Sequence, residues 1–477
     1  MRPRYVVAAV VPMIIVIGVV VGFVTGAFGS LTGGRVPAIS SATSSLTPSQ
    51  EASSQASATP TPTATAAPAG LPSPVLAAAQ AGQVPNSAML AARIGSVHVK
   101  DVQGHYSGAV VDLGTGKPLF AHNASTSLIP ASTMKLLTST AALSVLGRDH
   151  RFSTTVVSPR RGAIVLVGGG DPYLASKPGS GAGPKPASIA GLASATAGGL
   201  KADKITTVSL GYDSSLFGGP SWNPLWPDAY GDQVSEMSAL WVNEGRTGGS
   251  PGPRVHDPAR AAAIAFAEAL KKRGVRVTSL APVRATRSAQ PVASVRSLPL
   301  DRIVERLLLS SDNDAAEVLL RHIAVAAGRP GTTTEGAKAL RARLTQLGAW
   351  APGSVVDDGS GLARQNRVSA ITMVRVLRLA AATDHPELRA VLTGLPVAGV
   401  EGSLRTRFFD DASLAGRGVV RAKTGTLRDV HTLAGVLRTS DGSLLAFAFL
   451  INNPKNQFSA NVWLDRVTTA ISTCGCR

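Results

Sequence analysis

The sequence predicts an α/β (α+β) protein in which an antiparallel sheet, flanked by helices, is interrupted by a large inserted region. Helical periodicity dominates from about 301 to 392, and three β-rich segments with a closing helix follow. Between about 155 and 295 the sequence changes to glycine-rich loops and short apolar strands. The 477 residues and 44% hydrophobic content allow two or three domains with a substantial core.

The N-terminus predicts export. Residues 5–24 read YVVAAVVPMIIVIGVVVGFV, long enough to cross a bilayer, and Arg2 and Arg4 favour a cytoplasmic tip. We therefore expect residues 1–29 to form that tip and a transmembrane signal-anchor, with the body of the protein outside the cell membrane. The alternative is a cleaved signal peptide and a secreted protein, because the small residues 25–27 follow the apolar run.

Composition limits the classes of partner and cofactor. Residues 30–83 are rich in Ser, Thr, Ala and Pro, which predicts a disordered linker. The net charge of +18 favours anionic surroundings, and export argues against nucleic acid. The histidines lack metal-ligand spacing, and Cys474 and Cys476 are too close for a relaxed disulfide. We therefore expect no metal, no cofactor and no cysteine staple.

The elements follow in chain order. A short helix is expected at 88–94, and strands at 106–113 and 117–121 flank Gly114-Thr-Gly116 as a hairpin. The inserted region, assigned to 156–294, includes a strand at 206–210 and a helix at 258–273 with Pro258 at its start and Gly274 after its end.

The C-terminal half returns to long elements. A helical pattern from Asp301 to about Ala326 is broken by Ser310-Ser-Asp-Asn313. The remaining helices are expected at about 333–347, 369–382, 386–392 and 458–471, and three consecutive antiparallel strands at 418–426, 431–439 and 443–451. Residues 84–155 and 295–477 would then form one domain around the insert.

The stretch LIPASTMKLLTST at 128–140 predicts an activated nucleophile. Pro130 suits the first turn of a helix, and Ser132 and Lys135 then share one helical face. The unpaired N–H groups of a helix N-terminus favour a developing oxyanion near Ser132. Alone, this pattern also fits a serine cap and a solvated lysine.

Two further motifs decide between those readings. Ser311-Asp-Asn313 lies at the break between two helices, and Lys423-Thr-Gly425 lies on a predicted strand. With Ser132-Thr-Met-Lys135, they resemble the three motifs of active-site serine penicillin-recognising enzymes. The chain from about 85 to 477 is similar to low-molecular-mass class C penicillin-binding proteins, which are D-alanyl-D-alanine carboxypeptidases/endopeptidases with a β-lactamase/transpeptidase-like domain.

Other segments add to this resemblance. Ser132 and Ser311 are 179 positions apart, a gap that the family fills with inserted domains. The segments that look like the family's signatures are Pro130–Lys135, Gly168-Gly-Gly-Asp-Pro172, Asp358-Gly-Ser-Gly-Leu362, Val397–Leu404 and Ala422–Thr426. Of these, we interpret Asp358–Gly361 as a structural turn near the site and Gly168–Asp171 as a tight fold element of the insert.

The resemblance implies a role for each motif residue. Ser132 would be the nucleophile and Lys135 its base, with Lys423 placed close to Lys135. Ser311 would bridge the two lysines and the leaving amine as a proton relay. Asn313 would grip a substrate amide, and the backbone N–H groups of Ser132 and Thr426 would form the oxyanion hole. The substrate would add as a strand along the segment that contains Gly425. Its terminal carboxylate would bind Lys423, Thr424 and Thr426.

The implied function is that of a serine D,D-peptidase. Its partners would be peptidoglycan stem peptides, with β-lactams as covalent inhibitors and the membrane contacted through the anchor. Two alternatives remain. A serine β-lactamase needs a dedicated deacylation base, and none of Glu317, Glu335, Glu387 and Glu401 lies in the E-x-x-L-N motif, Glu317 being expected to serve its own helix. A non-catalytic wall-binding or β-lactam-sensing module is the other.

Overall fold

The computed structural model describes residues 84–179, 184–248 and 252–476. The predicted anchor at 5–24 and the predicted linker at 30–83 lie outside these residues. Within the described ranges, no helix is both long enough and apolar enough to cross a membrane.

Helices and strands alternate along the described chain. The first part forms α1 (Ser87–Gly95), β1 (His105–Asp112), β2 (Pro118–His122), β3 (Ser127–Leu128) and α2 (Met134–Leu146). The middle part forms β4 (Ser153–Arg160), β5 (Ala163–Val167), α3 (Ile189–Ala202), β6 (Thr207–Asp213), α4 (Pro258–Lys271), β7 (Arg276–Pro282) and β8 (Gln290–Arg296). The last part forms α5 (Leu300–Ser310), α6 (Asn313–Ala326), α7 (Thr333–Gln346), β9 (Val368–Ser369), α8 (Ala370–Ala381), α9 (Ala390–Thr393), β10 (Arg421–Leu427), β11 (Val430–Arg438), β12 (Leu444–Asn452) and α10 (Gln457–Ser472).

The main sheet is antiparallel and has the strand order β10-β11-β12-β1-β2. Because successive side chains of a strand point to opposite faces, Ala446 and Ala448 pack toward α2, α6 and α8, whereas Phe447 and Phe449 pack with α1 and α10. The predicted sheet flanked by helices is confirmed, as are its hairpin and its run of three C-terminal strands. Strand β10 lies at the edge of this sheet.

Two local features flank the future site. The predicted break at 310–313 is confirmed, because Ser311 adopts the left-handed conformation (φ 59°) and Asp312 caps α6 through the Ala315 N–H. The expected helix start at Pro130 is wrong by a few residues. Ala131 has a φ of 46°, outside the α-helical region, so a 3-10 turn over Ala131–Thr133 precedes α2.

A second sheet is formed between Ser153 and Arg296, in the order β7-β6-β5-β4-β8. Its β5–β6 and β6–β7 pairs are parallel, and its other pairs are antiparallel. Helices α3 and α4 pack on it around their own apolar core. As predicted, α4 begins with Pro258 after the Asp257 cap and ends before Gly274.

The C-terminal cysteines differ from the expectation. Cys474 and Cys476 are paired as a disulfide, whereas the sequence led us to expect no staple from two cysteines so close together. The chain turns at Gly475 and brings the two Cα atoms to 5.1 Å, a separation that disulfides span. Both cysteines are buried in the core beside α1, and the Asn86 N–H donates to the Cys476 carbonyl at 2.8 Å.

Candidate active site

The turn that carries Ser132 is fixed to the sheet from below. The Pro130 carbonyl accepts hydrogen bonds from the hydroxyls of Thr133 at 2.6 Å and Thr432 at 2.8 Å, and Thr432 lies on β11. The Asn452 amide bonds both the N–H and the carbonyl of Ile129. Ser132 itself is half-buried and faces an open cleft of about 1080 Å³.

Lys135 lies directly beside the Ser132 hydroxyl. Its ammonium nitrogen is 2.9 Å from Ser132 Oγ, 2.7 Å from Asn313 Oδ1 and 2.8 Å from the Ser360 carbonyl oxygen. The side chain has no exposed surface. Burial disfavours its charged form and lowers its pKa from 10.5 to about 8. Lys135 therefore reaches its neutral, proton-accepting form at a pH where most lysines remain charged.

Lys423, on β10, is also fully buried. Within the described residues, its hydrogen bond goes to the carbonyl of the adjacent Thr424 at 2.8 Å. Burial lowers the pKa of Lys423 well below its ordinary value, and the nearby Lys135 charge lowers it further. The prediction that these two lysines lie close to each other therefore agrees with the structure.

The charges around the two lysines are unequal. Four carboxylates favour the charged form of Lys135, and they belong to Asp358, Glu317, Asp312 and Asp314. Lys423 receives no comparable support from the described residues. Because two neighbouring buried ammonium groups oppose each other, the carboxylates favour a proton on Lys135 over a proton on Lys423 before substrate binds.

The second motif contributes an amide and a hydroxyl. Asn313, the first residue of α6, accepts from Lys135 through Oδ1 and donates through Nδ2 to the Gln233 carbonyl at 3.0 Å. Ser311 faces the same cleft. In the described part of the chain, no hydrogen bond joins Ser311 Oγ to either lysine, so the expected bridge between the lysines is not observed.

Strand β10 passes close to the nucleophile. A Cβ atom on Gly425 would collide with Thr432 Oγ1 and lie 3.1 Å from the Ser132 backbone nitrogen. Only glycine permits this close approach of β10 to the turn that carries Ser132. The Thr424 hydroxyl is 2.7 Å from the Ser403 hydroxyl, and Thr424 and Thr426 both line the cleft.

The Asp358–Gly361 turn is tied directly to the base, which agrees with its interpretation as a structural turn near the site. The buried Asp358 carboxylate accepts from the Gly361 N–H at 2.8 Å and the Asn366 amide at 2.8 Å. The sequence led us to expect that Glu317 serves its own helix, and this is wrong. Its Oε1 accepts from the N–H groups of Gly359 at 2.9 Å and Ser360 at 2.7 Å. These contacts fix the carbonyl that holds Lys135.

The insert forms one side of the site, which the sequence did not reveal. Trp226 donates its indole N–H to Asp358 Oδ2 at 2.9 Å, and Arg254 forms a buried ion pair with Asp314 at 2.6 Å. Residues of the insert that line the cleft are Pro227, Ala229, Tyr230, Asp232 and Gln233. A tryptophan 132 positions before its carboxylate partner gives no periodic signal that would predict the contact.

Comparisons with known proteins agree with this geometry. The D-Ala-D-Ala carboxypeptidase 3 (S13) family model matches residues 90–253 and 249–469. A carboxypeptidase of Mycobacterium tuberculosis is 33% identical over 429 residues, covering 86% of this chain and 90% of that protein. The D-alanyl-D-alanine carboxypeptidase of Actinomadura is 31% identical over 435 residues, covering 74% and 78%.

Solved structures show the same fold. The crystal structure of penicillin binding protein 4 from Haemophilus influenzae matches with a TM-score of 0.65 at 21% identity, covering 80% of this chain and 98% of that one. A structure of that protein complexed with a β-lactam covers the same shares, with a TM-score of 0.60 at 22% identity.

Proposed function

We propose a mechanism from the premise that the chain belongs to the D-Ala-D-Ala carboxypeptidase 3 (S13) family and is a serine D,D-peptidase. In this proposal Ser132 is the nucleophile and Lys135 is its general base. The observation that supports it most is the 2.9 Å contact between Lys135 Nζ and Ser132 Oγ at the floor of an open cleft. Serine needs such a base, because its hydroxyl is too weakly acidic to react alone.

Substrate binding favours the neutral form of Lys135, which is the form that acts as a base. A terminal carboxylate bound beside Lys423, Thr424 and Thr426 favours the ammonium form of Lys423, which repels a proton from Lys135. Neutral Lys135 then takes the Ser132 proton while Oγ attacks the carbonyl carbon of the penultimate D-alanine. Substrate binding and base activation are linked in this way, so a peptide without the carboxylate is expected to react slowly.

Backbone groups hold the rest of the substrate. The peptide adds as a strand at the edge of β10, and the N–H groups of Ser132 and Thr426 donate to its developing oxyanion. The Asn313 amide orients a substrate amide from the opposite side. Gly425 is required here because it lets β10 approach the nucleophile turn.

The leaving amine departs with a proton. As the tetrahedral intermediate collapses, the bond between the carbonyl carbon and the amine nitrogen breaks, and the proton passes from Lys135 through the Ser311 hydroxyl to that nitrogen. Water then hydrolyses the ester on Ser132 and releases the shortened peptide. Because a free D-alanine and the amine of a cross-link leave in the same way, we propose both D-Ala-D-Ala termini and D,D-cross-links of stem peptides as substrates.

A β-lactamase is the second candidate, because it uses the same three motifs. It requires a carboxylate free to activate the deacylating water. Glu317 instead is fully buried, is not among the residues that line the cleft, and binds two backbone N–H groups through Oε1. We therefore expect β-lactams to act as covalent inhibitors. A non-catalytic sensor would bind them as well but would leave peptides uncut.

The placement of the enzyme follows the sequence. We propose that residues 84–155 and 295–477 form the catalytic domain, that 156–294 form the insert, and that residues 5–24 anchor the chain with the catalytic domain outside the membrane. N-terminal sequencing of the native protein tests the anchor. An intact N-terminus in the membrane fraction is expected, and a mature chain that starts near Phe28 would replace the anchor with a cleaved signal.

The Lys135→Ala variant tests the catalytic assignment. Loss of a general base slows a reaction by about 10²–10⁴-fold, so we expect release of D-alanine from a pentapeptide to fall by that amount. Lys201→Ala, at the exposed end of α3, is the matched control and should cleave at the unaltered rate. Near-normal cleavage by a folded Lys135→Ala protein would overturn the assignment of the base.

A further inference from the structure

Glu317 is a buried carboxylate whose place in the reaction is not explained by the three motifs. It lies on α6, one helical turn after Asn313, and has no exposed surface. Both of its hydrogen bonds from the Gly359 and Ser360 N–H groups go to Oε1, and Oε2 has no partner in the described residues. An uncompensated buried oxygen is costly, so its retention calls for a functional reason.

Ser360 connects this carboxylate to the base. Its N–H donates to Glu317, and its carbonyl oxygen accepts from Lys135 Nζ at 2.8 Å. Ser360 is therefore held by Glu317 and in turn holds Lys135. The orientation of the Ser360 backbone, and with it the position of Lys135 relative to Ser132, depends on the length and acceptor capacity of the Glu317 side chain.

The other acidic groups near Lys135 are occupied. Asp358 accepts from the Trp226 indole and from backbone N–H groups of its own turn, Asp312 caps α6, and Asp314 is paired with Arg254. Arg321, the cation nearest along α6, donates to carbonyls of the insert instead of to Glu317.

Electrostatics gives Glu317 a second effect on the base. An anionic Glu317 favours the charged form of Lys135, whereas Lys423 disfavours it. Burial and the neighbouring Asp358 raise the pKa of Glu317 to about 8, so Glu317 becomes anionic only in the pH range where Lys135 also loses its proton. In that range, removal of the acid should let Lys135 complete its deprotonation at lower pH.

We propose that Glu317 is a positioning residue for the general base: it fixes the Ser360 carbonyl against Lys135 and places a carboxyl group beside the lysine. The inference rests on the proposed role of Lys135. It assigns Glu317 no contact with substrate and no part in deacylation.

Two substitutions separate the two effects. Glu317→Gln keeps an oxygen that accepts from Gly359 and Ser360 but removes the charge, whereas Glu317→Asp keeps the charge but shortens the reach. The measurement is the rate constant for acylation by penicillin from pH 6 to pH 10, followed by intact mass on the full-length protein. Glu335→Gln, which removes a surface carboxylate on α7, is the charge-matched control.

For Glu317→Gln we expect the midpoint of the acylation profile to move to lower pH, while the rates well below pH 8, where Glu317 is already neutral, stay close to those of the unaltered protein. For Glu317→Asp we expect slower acylation at every pH with the midpoint close to that of the unaltered protein. Glu335→Gln should follow the unaltered profile.

An unmoved midpoint in folded Glu317→Gln would overturn the proposal, because a purely structural role changes the rate without changing the midpoint. If Glu317→Gln fails to fold, Glu317→Asp still tests the proposal. This variant retains the charge, so a midpoint of its acylation profile shifted by a full pH unit would contradict the proposal. Failure of the proposed function has a different signature: the unaltered protein would then not acylate at Ser132 at any pH.

Discussion

Lys135 Nζ lies 2.9 Å from Ser132 Oγ, and the lysine has no exposed surface. The contact joins a weak nucleophile to a base whose charge the fold disfavours by burial. The reactivity of Ser132 therefore depends on the protonation states of Lys135, Lys423 and the surrounding carboxylates.

The first prediction concerns pH. Lys135 accepts a proton only when neutral, and its pKa is lowered to about 8, so acylation should increase about tenfold per pH unit below that value and level off above it. Stopped-flow acylation by a β-lactam that is stable between pH 6 and pH 10 measures the profile. A rate that is flat from pH 6 to pH 9 would contradict a titrating lysine base.

The second prediction concerns the terminal carboxylate. Thr424→Val removes a hydroxyl that lines the cleft and contacts Ser403, and we expect KM for a D-Ala-D-Ala peptide to rise about tenfold with a smaller change in kcat. The same peptide with a C-terminal amide is the control substrate. If Thr424 binds the carboxylate, Thr424→Val and the unaltered protein should cleave the amide at similar rates. An equal loss for both substrates would place Thr424 elsewhere in the reaction.

The third prediction concerns the insert. Trp226→Phe deletes the N–H that bonds the buried Asp358, which should lower the free energy of unfolding by about 1–3 kcal/mol and slow acylation several-fold, because the turn behind Lys135 loosens. Urea unfolding and penicillin acylation measure the two effects. Trp463→Phe is a matched control, since the Trp463 indole bonds the Val97 carbonyl and neither residue belongs to the three motifs. Equal effects of both variants on acylation would disprove the link between insert and base.

The sequence predicted the main sheet well because local signals agree with the fold there. Glycine at a hairpin turn, period-two strands such as β12 and the helix break at Ser310–Asn313 each follow from short-range rules. The predicted motif residues Ser132, Lys135 and Asn313 are brought together by these elements.

What escaped prediction depends on contacts between distant segments. Glu317 meets Ser360 across 43 positions, and Trp226 meets Asp358 across 132, and neither separation leaves a periodic mark in the sequence. The short 3-10 turn at Ser132 was also missed, because the positive φ of Ala131 is imposed by surrounding structure and has no glycine to signal it. The distribution of protons between Lys135 and Lys423 likewise depends on burial, which only the folded chain reveals.

The most direct test of the central claim is the fate of penicillin on the full-length, detergent-solubilised protein, compared with Ser132→Ala. Penicillin keeps its leaving amine tethered in the acyl-enzyme, so an enzyme without a dedicated deacylation base should remain trapped. Peptide mapping by mass spectrometry should find one long-lived penicilloyl adduct, on the peptide that contains Ser132, in a preparation that also releases D-alanine from a pentapeptide or cleaves a cross-linked dimer. Ser132→Ala should show neither adduct nor cleavage. Rapid, repeated hydrolysis of penicillin, or a lasting adduct with no cleavage of any wall peptide, would contradict the account of Ser132 as the nucleophile of a D,D-peptidase.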